Sequence, residues 1–171
     1  MNKKLFDEPR DLNDVAQFHE TFELPIQDQP IIPTEDRCEL RLNLIEEELK
    51  ELKEAIDNKD LTEVADAFCD LQYVLSGAIL EFGLGEMFSE LFAEVQRSNL
   101  SKTCKTLEEA EATQDFYAMT KNTASIIEKK DDVYLVFRAT DRKVLKSVNY
   151  SPADIKNILL SRSQKEKTET V

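Results

Sequence analysis

The clearest pattern of apolar and polar positions spans residues 44–73, where two amphipathic helices are predicted. At about 100° per residue, apolar residues recur on one face of each helix. The polar segment DNKD, residues 57–60, predicts a turn that folds the second helix back along the first. The apolar stripes are Ile45, Leu49, Leu52 and Ile56, then Val64, Phe68, Leu71, Leu75, Ile79 and Phe82.

Acidic side chains lie beside these apolar stripes rather than opposite them. On the first helix Glu48 and Glu51 flank the stripe, and Glu47 lies at the outer edge of the same arc. The second helix is predicted to be buried over most of its circumference, where an unpaired carboxylate is costly. Its acids nevertheless share one arc next to the stripe: Glu63, Asp66 and Asp70.

The register of the two helices places these acids at matching depths. Each helical residue rises about 1.5 Å. Counted outward from the turn, Glu51 is level with Asp66, and Glu48 is level with Asp70. Glu63 lies nearer the turn, so an antiparallel pair would bring at least four acids together at one depth.

Nothing basic in the neighbouring sequence neutralises these acids. The segment from Asp60 to Gln96 contains eight acidic residues and no Lys, Arg or His. Converging carboxylates without a basic partner either take up protons or bind a hard cation, and oxygen ligands suit Mg²⁺ or Mn²⁺. We therefore predict a metal site; the alternative is that the acids form an ordinary solvated face.

Both helices resemble the paired signature of a known superfamily. LIEEELKEL (residues 44–52) and EVADAFCDLQYV (63–74) are similar to the all-α nucleoside triphosphate pyrophosphohydrolases. This MazG-like superfamily also contains the dimeric dUTPases and phosphoribosyl-ATP pyrophosphohydrolase. Its pattern EExxE, then ExxD, falls on Glu47, Glu48 and Glu51, then Glu63 and Asp66, with Asp70 one turn further on. The resemblance extends to residues 15–25, 77–84, 94–102 and 149–155.

The resemblance implies Mg²⁺-dependent cleavage of a nucleoside triphosphate, with Mn²⁺ as a substitute, into a monophosphate and pyrophosphate. Such activity would serve nucleotide-pool house-cleaning. Glu47 and Glu48 are the expected catalytic residues, with Glu47 orienting or deprotonating the attacking water. The expected metal ligands are Glu48, Glu51, Glu63, Asp66 and Asp70. A homodimer, or a dimer of dimers, is expected through the two motif helices.

Further residues are candidates for contacts with the substrate. Arg97, Asn99 and Lys102 are expected to bind phosphates, as their stretch does in similar proteins; the alternative is that they complement a helix C-terminus. The base pocket is expected at Phe18, His19, Phe22 and Tyr73, because aromatic faces suit stacking. His19 has a second interpretation, as a packing residue.

The composition of the chain limits the classes of partner that it is expected to bind. The chain of 171 residues carries a net charge of −13 and has no concentrated basic surface in its sequence, which argues against nucleic-acid polymers. It lacks a signal-peptide pattern and an apolar run of membrane-spanning length, so no membrane partner is expected and the location is expected to be cytoplasmic. The three cysteines are widely spaced without a CxxC motif, which gives no indication of a zinc site.

The expected fold is an all-α, MazG-like antiparallel bundle with a small C-terminal hairpin and a short helix. A single domain is expected over residues 1–160, with the catalytic bundle at 10–105 and the remainder at 106–160. Strands at Val133–Phe137 and Val144–Val148 form the predicted hairpin, and the last helix is expected at residues 152–160. Residues 161–171 are expected to be a disordered tail.

Other function classes remain to be distinguished. A ferritin-like di-iron oxidase needs Glu-x-x-His motifs on two helices, and the one histidine of the chain excludes it. A non-catalytic helical adaptor would use the acidic face to bind a basic partner. Within the enzyme class, the alternatives are phosphoribosyl-ATP pyrophosphohydrolase and a narrow dUTP or dCTP enzyme.

Overall fold

The structure, a computed structural model, describes residues 6, 7 and 9–161. The chain divides into two compact units, one up to Phe88 and one from Ser89 onwards, and each is described by itself. The boundary predicted after residue 105 lies within the second unit. Of the predicted disordered tail, only residue 161 is among the described residues.

Three helices make up most of the first unit: α1 (Asp11–Thr21), α2 (Glu35–Asn58) and α3 (Leu61–Glu81). A proline-containing connector leads from α1 to α2, and a 3₁₀ turn at Gly85–Met87 follows α3. The predicted all-α class with a small hairpin is confirmed. Among the described residues, no single helix is long and apolar enough to cross a membrane; α3 and Gly85–Leu100 meet that test only when joined.

α2 and α3 pack against each other. Ala55 and Leu52 of α2 are buried, as is Ala67 of α3. Of the other stripe residues, Ile79 is buried as predicted, whereas the rest are less buried, and Leu49 is 56% exposed. The prediction that α3 is buried over most of its circumference holds only for its C-terminal end, residues 76–81, and is wrong for the part that carries the acids.

A buried ionic cluster joins the three helices of the first unit. Glu81 of α3 is 1% exposed, and its carboxylate accepts hydrogen bonds from two arginines of α2. Arg41 Nη2 lies 2.5 Å from Glu81 Oε1, and Arg37 Nε lies 3.2 Å from Oε2. Burial alone would raise the pKa of Glu81, but hydrogen bonds from Arg41 and Arg37 outweigh it and hold that pKa below its usual value.

His19 adds α1 to this ionic cluster. Its Nδ1 is 2.8 Å from the carbonyl oxygen of Pro25, which requires a proton on Nδ1. Nε2 then accepts from Arg41 Nη2 at 3.2 Å. Of the three ring-bearing residues of this region, His19 is buried, whereas Phe18 and Phe22 are exposed.

The second unit is built around a small core of its own. It contains α4 (Phe88–Leu100), which begins at the unit boundary, α5 (Leu107–Lys121), a hairpin of β1 (Ser125–Lys130) and β2 (Val133–Arg138), and a last helix, α6, at residues 155–161. The buried residues of this core are Cys104, Ala110, Val136 and Leu145.

The strand predicted to pair with β2 in the hairpin is wrong. β2 forms where expected but pairs antiparallel with β1, through a turn at residues 131–132. Of the predicted pairing with Val144–Val148, the described residues show an isolated bridge between Phe137 and Val144. The sequence of β1, SIIEKK, has two adjacent apolar residues followed by charges, so the alternation that signals a strand is missing.

Replacing the buried acid of the ionic cluster should destabilise the fold. Glu81→Gln is expected to lower the free energy of unfolding by roughly 3 kcal/mol, because Arg41 would keep its charge without a buried carboxylate. Urea denaturation measures this change. Glu54→Gln is the matched control, since its exposed pair with Lys50 (3.7 Å) contributes less than about 1 kcal/mol. Equal effects of the two substitutions would contradict the assignment.

The same carboxyl makes stability depend on pH. Because the folded-state pKa of Glu81 is lowered, its stabilisation is complete above the ordinary carboxyl pKa of 4.5 and is lost as pH falls through the folded-state value. The difference in unfolding free energy between the wild type and Glu81→Gln should therefore be largest near pH 7 and shrink on acidification. Denaturation at a series of pH values tests this, and a constant difference would argue against it.

Candidate metal centre and nucleotide pocket

The connection between α2 and α3 sets the register of the acids. Lys59 adopts a left-handed conformation (φ 57°) and ends α2. Asp60 caps α3, with its Oδ1 accepting from the backbone N–H groups of Thr62 (3.0 Å) and Glu63 (3.2 Å). A connection this short folds α3 back along α2, as predicted.

Glu48 is the most strongly perturbed acid of the predicted site. Its Oε2 is buried and has no hydrogen-bond partner among the described residues. Burial raises the pKa of Glu48, and the negative charges nearby raise it further. In order of effect, those charges belong to Asp70, Glu51, Glu47 and Asp66. The acids of the two helices therefore lie within electrostatic reach of one another around Glu48.

The remaining acids are more open to solvent. Asp70 is half-buried, and the others are exposed: Glu47, Glu51, Glu63 and Asp66. Among the described residues, no three His, Cys, Asp or Glu side chains converge closely enough to hold a metal ion as they stand. Mutual repulsion favours such separation of carboxylates.

The donor set nevertheless fits a hard divalent cation. All its atoms are carboxylate oxygens, the ligands that Mg²⁺ and Mn²⁺ prefer. One of those oxygens, Glu48 Oε2, is buried and unpartnered. A buried acceptor without a donor is costly, and a cation would remove that cost.

Glu63 is available for such a role. A glutamate three residues after an N-cap residue can form a capping box, in which the Glu63 side chain would accept from the Asp60 N–H. The N–H of Asp60 instead donates to the carbonyl oxygen of Ala55 at 3.0 Å. That backbone bond removes the competing structural role.

An aromatic cluster lies next to the acids. The ring centroids of Phe18 and Phe22 are 4.4 Å apart, and Phe18 meets Tyr73 edge-on at 5.6 Å. Tyr73 follows Asp70 by three residues and so shares its face of α3. Phe22 and Tyr73 are exposed, as a base-stacking surface requires.

His19 differs from the other residues of the predicted base pocket. It is 1% exposed, and both ring nitrogens are occupied by Pro25 and Arg41. Neither nitrogen is free to bond a base. Of the two interpretations of His19, the structure favours the packing one.

The predicted phosphate ligands belong to the second unit. Arg97 donates from Nε and Nη2 to the Glu94 carboxylate, both at 2.7 Å, and from Nη1 to Ser151 Oγ at 3.1 Å. The pKa of Glu94 is lowered to about 2, first of all by Arg97. Lys102 Nζ donates to Asn99 Oδ1 at 2.7 Å. Arg97 is thus engaged in its own unit, whereas the hydrogen-bond partner of Lys102 among the described residues is neutral.

Sequence reasoning missed the basic partners of one acid. Glu81 was counted among the acids without a local base, yet Arg37 and Arg41 neutralise it from α2. Their spacing of four residues on one helix face was the available signal. The argument that the acids lack basic partners is therefore wrong for Glu81. For Glu48 it is supported by the raised pKa, which burial and the neighbouring carboxylates cause.

One protein family matches the part of the chain that carries the acids. The phosphoribosyl-ATP pyrophosphohydrolase family matches residues 15–99, about half of the chain, and that range includes every predicted metal ligand. No curated protein matches the chain. The family match supports a pyrophosphohydrolase, an enzyme that acts on phosphorus-containing anhydrides. The chain belongs to the MazG-like superfamily of all-α nucleoside triphosphate pyrophosphohydrolases.

Proposed function

We propose that this protein is a Mg²⁺-dependent pyrophosphohydrolase that cleaves nucleoside or deoxynucleoside triphosphates into a monophosphate and pyrophosphate, and that it serves nucleotide-pool house-cleaning. The observation that carries the proposal is the buried, unpartnered oxygen of Glu48. Four further carboxylates act on this residue. Such a group is unfavourable in a protein without a cation, and it lies in the motif of a pyrophosphohydrolase family.

The metal-binding residues follow from this arrangement. The acids that would hold Mg²⁺ are Glu48, Glu51, Glu63, Asp66 and Asp70. When bound, the ion would neutralise the charge of phosphate oxygens and favour ionisation of water. Because the ligands come from both α2 and α3, the capped connection between these helices determines how they approach each other.

The chain's own groups would support an in-line displacement at the α-phosphorus. We call the surface of α2 and α3 that carries these acids the acid face. Glu47 is exposed at its edge and is the candidate to orient the attacking water and take its proton. The bond from the α-phosphorus to its bridging oxygen breaks, and the electron pair leaves with pyrophosphate. Phe18, Phe22 and Tyr73 would stack against the base.

The family match itself favours a second substrate. Phosphoribosyl-ATP pyrophosphohydrolase is the family that matches residues 15–99. Its named substrate is a triphosphate whose base carries an added ribosyl phosphate. Release of pyrophosphate from phosphoribosyl-ATP, compared with release from canonical and modified nucleotides, distinguishes the two activities.

We also propose that the active protein is a homodimer formed through α2 and α3. Exposed apolar residues recur every seven positions on both helices, which is the spacing of helix-packing seams. The same hairpin from a second copy would cover this surface and complete a four-helix bundle. The exposed residues are Leu42, Leu49 and Ile56 on α2, and Leu61, Phe68 and Leu75 on α3.

Removing a charge at the centre of the acid face should separate activity from stability. Glu48→Gln is expected to reduce Mg²⁺-dependent pyrophosphate release by more than the roughly 10- to 100-fold typical of an outer-shell partner. It should also raise the melting temperature in EDTA, because burial and repulsion disfavour the ionised carboxyl. Pyrophosphate release from a nucleotide panel and thermal unfolding measure the two effects.

Glu46→Gln is the matched control, since this residue is exposed on the far side of α2. It should change neither quantity appreciably. Full activity of Glu48→Gln would refute the metal site. Wild-type protein that binds no Mg²⁺ and releases no pyrophosphate from any triphosphate would leave the adaptor interpretation instead.

A charge placed in the stripe of exposed apolar residues that recur every seven positions should prevent dimer formation. Leu49→Glu is expected to convert the protein from dimer to monomer, because each copy would bury an unpaired carboxylate at the interface. Sedimentation equilibrium measures the mass. Met119→Glu, at a position 83% exposed outside the stripe, should leave the dimer intact. A wild-type monomer, or a Leu49→Glu dimer, would contradict the proposed interface.

A further inference from the structure

Five basic side chains line one cleft of the second unit, although the chain as a whole carries a net charge of −13. The cleft has a volume of about 340 Å³. Its other walls are formed by Tyr117, Thr123, Val144 and Leu145. The cations are Lys102, Lys121, Arg138, Lys143 and Lys146.

Folding of the second unit brings these cations together from distant parts of the sequence. The chain turns back after β2, where Arg138 N–H donates to the carbonyl oxygen of Lys143 at 2.9 Å. The Lys146 N–H donates to the hydroxyl of Tyr117 on α5 at 3.2 Å. This turn carries Lys143 and Lys146 to the end of α5, where Lys121 lies. The expectation that the chain has no concentrated basic surface is therefore wrong for this cleft.

The positive charge of the cleft is largely unbalanced. None of the described residues that line it is Asp or Glu. Among the five cations, ion pairing within the described residues is confined to Arg138, whose Nε lies 2.8 Å from Asp141. Lys102 donates to an amide oxygen, and Lys146 Nζ lies 4.2 Å from the centre of the Tyr150 ring. Asp141 also lies within electrostatic reach of Lys143, whose charge helps to lower the pKa of Asp141. Lys102, Lys121 and Lys146 have no carboxylate partner among the described residues. These cations repel each other, and an anion between them would relieve that repulsion.

The field of the lysines extends to a neighbouring tyrosine. A hydrogen bond with Ser98 lowers the pKa of Tyr150, and the charges of Lys146 and Lys102 lower it further. A phenolate is stabilised here for the same reason that a bound anion would be.

We propose that this basic cleft is a binding site for a small anion that carries two or more phosphate groups, of which inorganic pyrophosphate is the simplest. A volume of about 340 Å³ is at the lower end of the range for small-molecule sites, roughly 300–1,000 Å³. Each phosphate group carries a charge of about −1.5 to −2 near neutral pH, so two groups carry enough negative charge to balance the lysines of the cleft. The acidic excess of the whole chain disfavours a nucleic-acid polymer as the occupant.

Pyrophosphate binding to the full chain in EDTA tests the site. Without divalent cations the acid face repels phosphate, so calorimetric titration with sodium pyrophosphate at constant ionic strength reports on the basic cleft. One pyrophosphate per chain is expected. Lys121→Gln combined with Lys143→Gln should weaken binding by about tenfold or more, which corresponds to about 1.4 kcal/mol. Both residues are exposed, so the double variant is expected to fold.

The matched control has the same change of net charge. Lys53→Gln combined with Lys156→Gln removes two exposed lysines that do not line the cleft. It should leave the affinity for pyrophosphate within about twofold, since exposed charges at a distance are screened by salt. Equal weakening by both double variants would show a non-specific effect of charge and overturn the site.

Two further outcomes would overturn the proposal. One is the absence of pyrophosphate binding to the wild type at millimolar concentration. The other is tighter binding of a single-stranded oligonucleotide than of pyrophosphate at the same salt concentration. The titration measures no hydrolysis and includes no Mg²⁺, so its result is independent of whether Glu48 supports catalysis.

Discussion

The buried carboxylate of Glu81 is the constraint on which the first unit depends. It closes a path of contacts from α3 through Arg37 and Arg41 on α2 to His19 on α1. Burying two ions is costly, so a buried pair is favourable only when its geometry and hydrogen bonds are complete. Here the partners come from three helices, and the cluster can form only when all three are in place. It specifies one packing of the helices as well as stabilising them.

The acid face contrasts with this cluster although it shares two of the same helices. Around Glu81, cations from α2 lower the pKa of the carboxyl; around Glu48, burial and the charges of other carboxylates raise it. One protein therefore presents the same functional group in two opposite environments. The first environment supplies cations to the carboxylate, and a bound cation would do the same in the second. Under the proposed function, the contrast is between a structural acid and a metal-binding one.

Local patterns predicted the helices and the register of the acids well. The turn after α2, the Asp60 cap and the proximity of Glu48 to Asp70 all follow from periodicity and from the short connection. Features that depend on distant residues were not predictable. The role of His19 depends on Arg41 and Pro25, and β1 has no alternation of its own to mark it as a strand. The basic cleft could not be predicted either, because its cations are scattered along the sequence.

Gly77 shows how closely the ionic cluster and the acid face are linked. A Cβ atom at this position would lie 2.7 Å from Arg41 Nη1 and 3.0 Å from His19 Nε2. Arg41 is buried and held by Glu81, so it has little freedom to move away. Position 77 comes two helical turns after Asp70 on the same face of α3. A methyl group added here would force Arg41 and His19 out of their present positions, so this glycine is a site where a substitution outside the acidic motif disturbs the helix that carries Asp66 and Asp70.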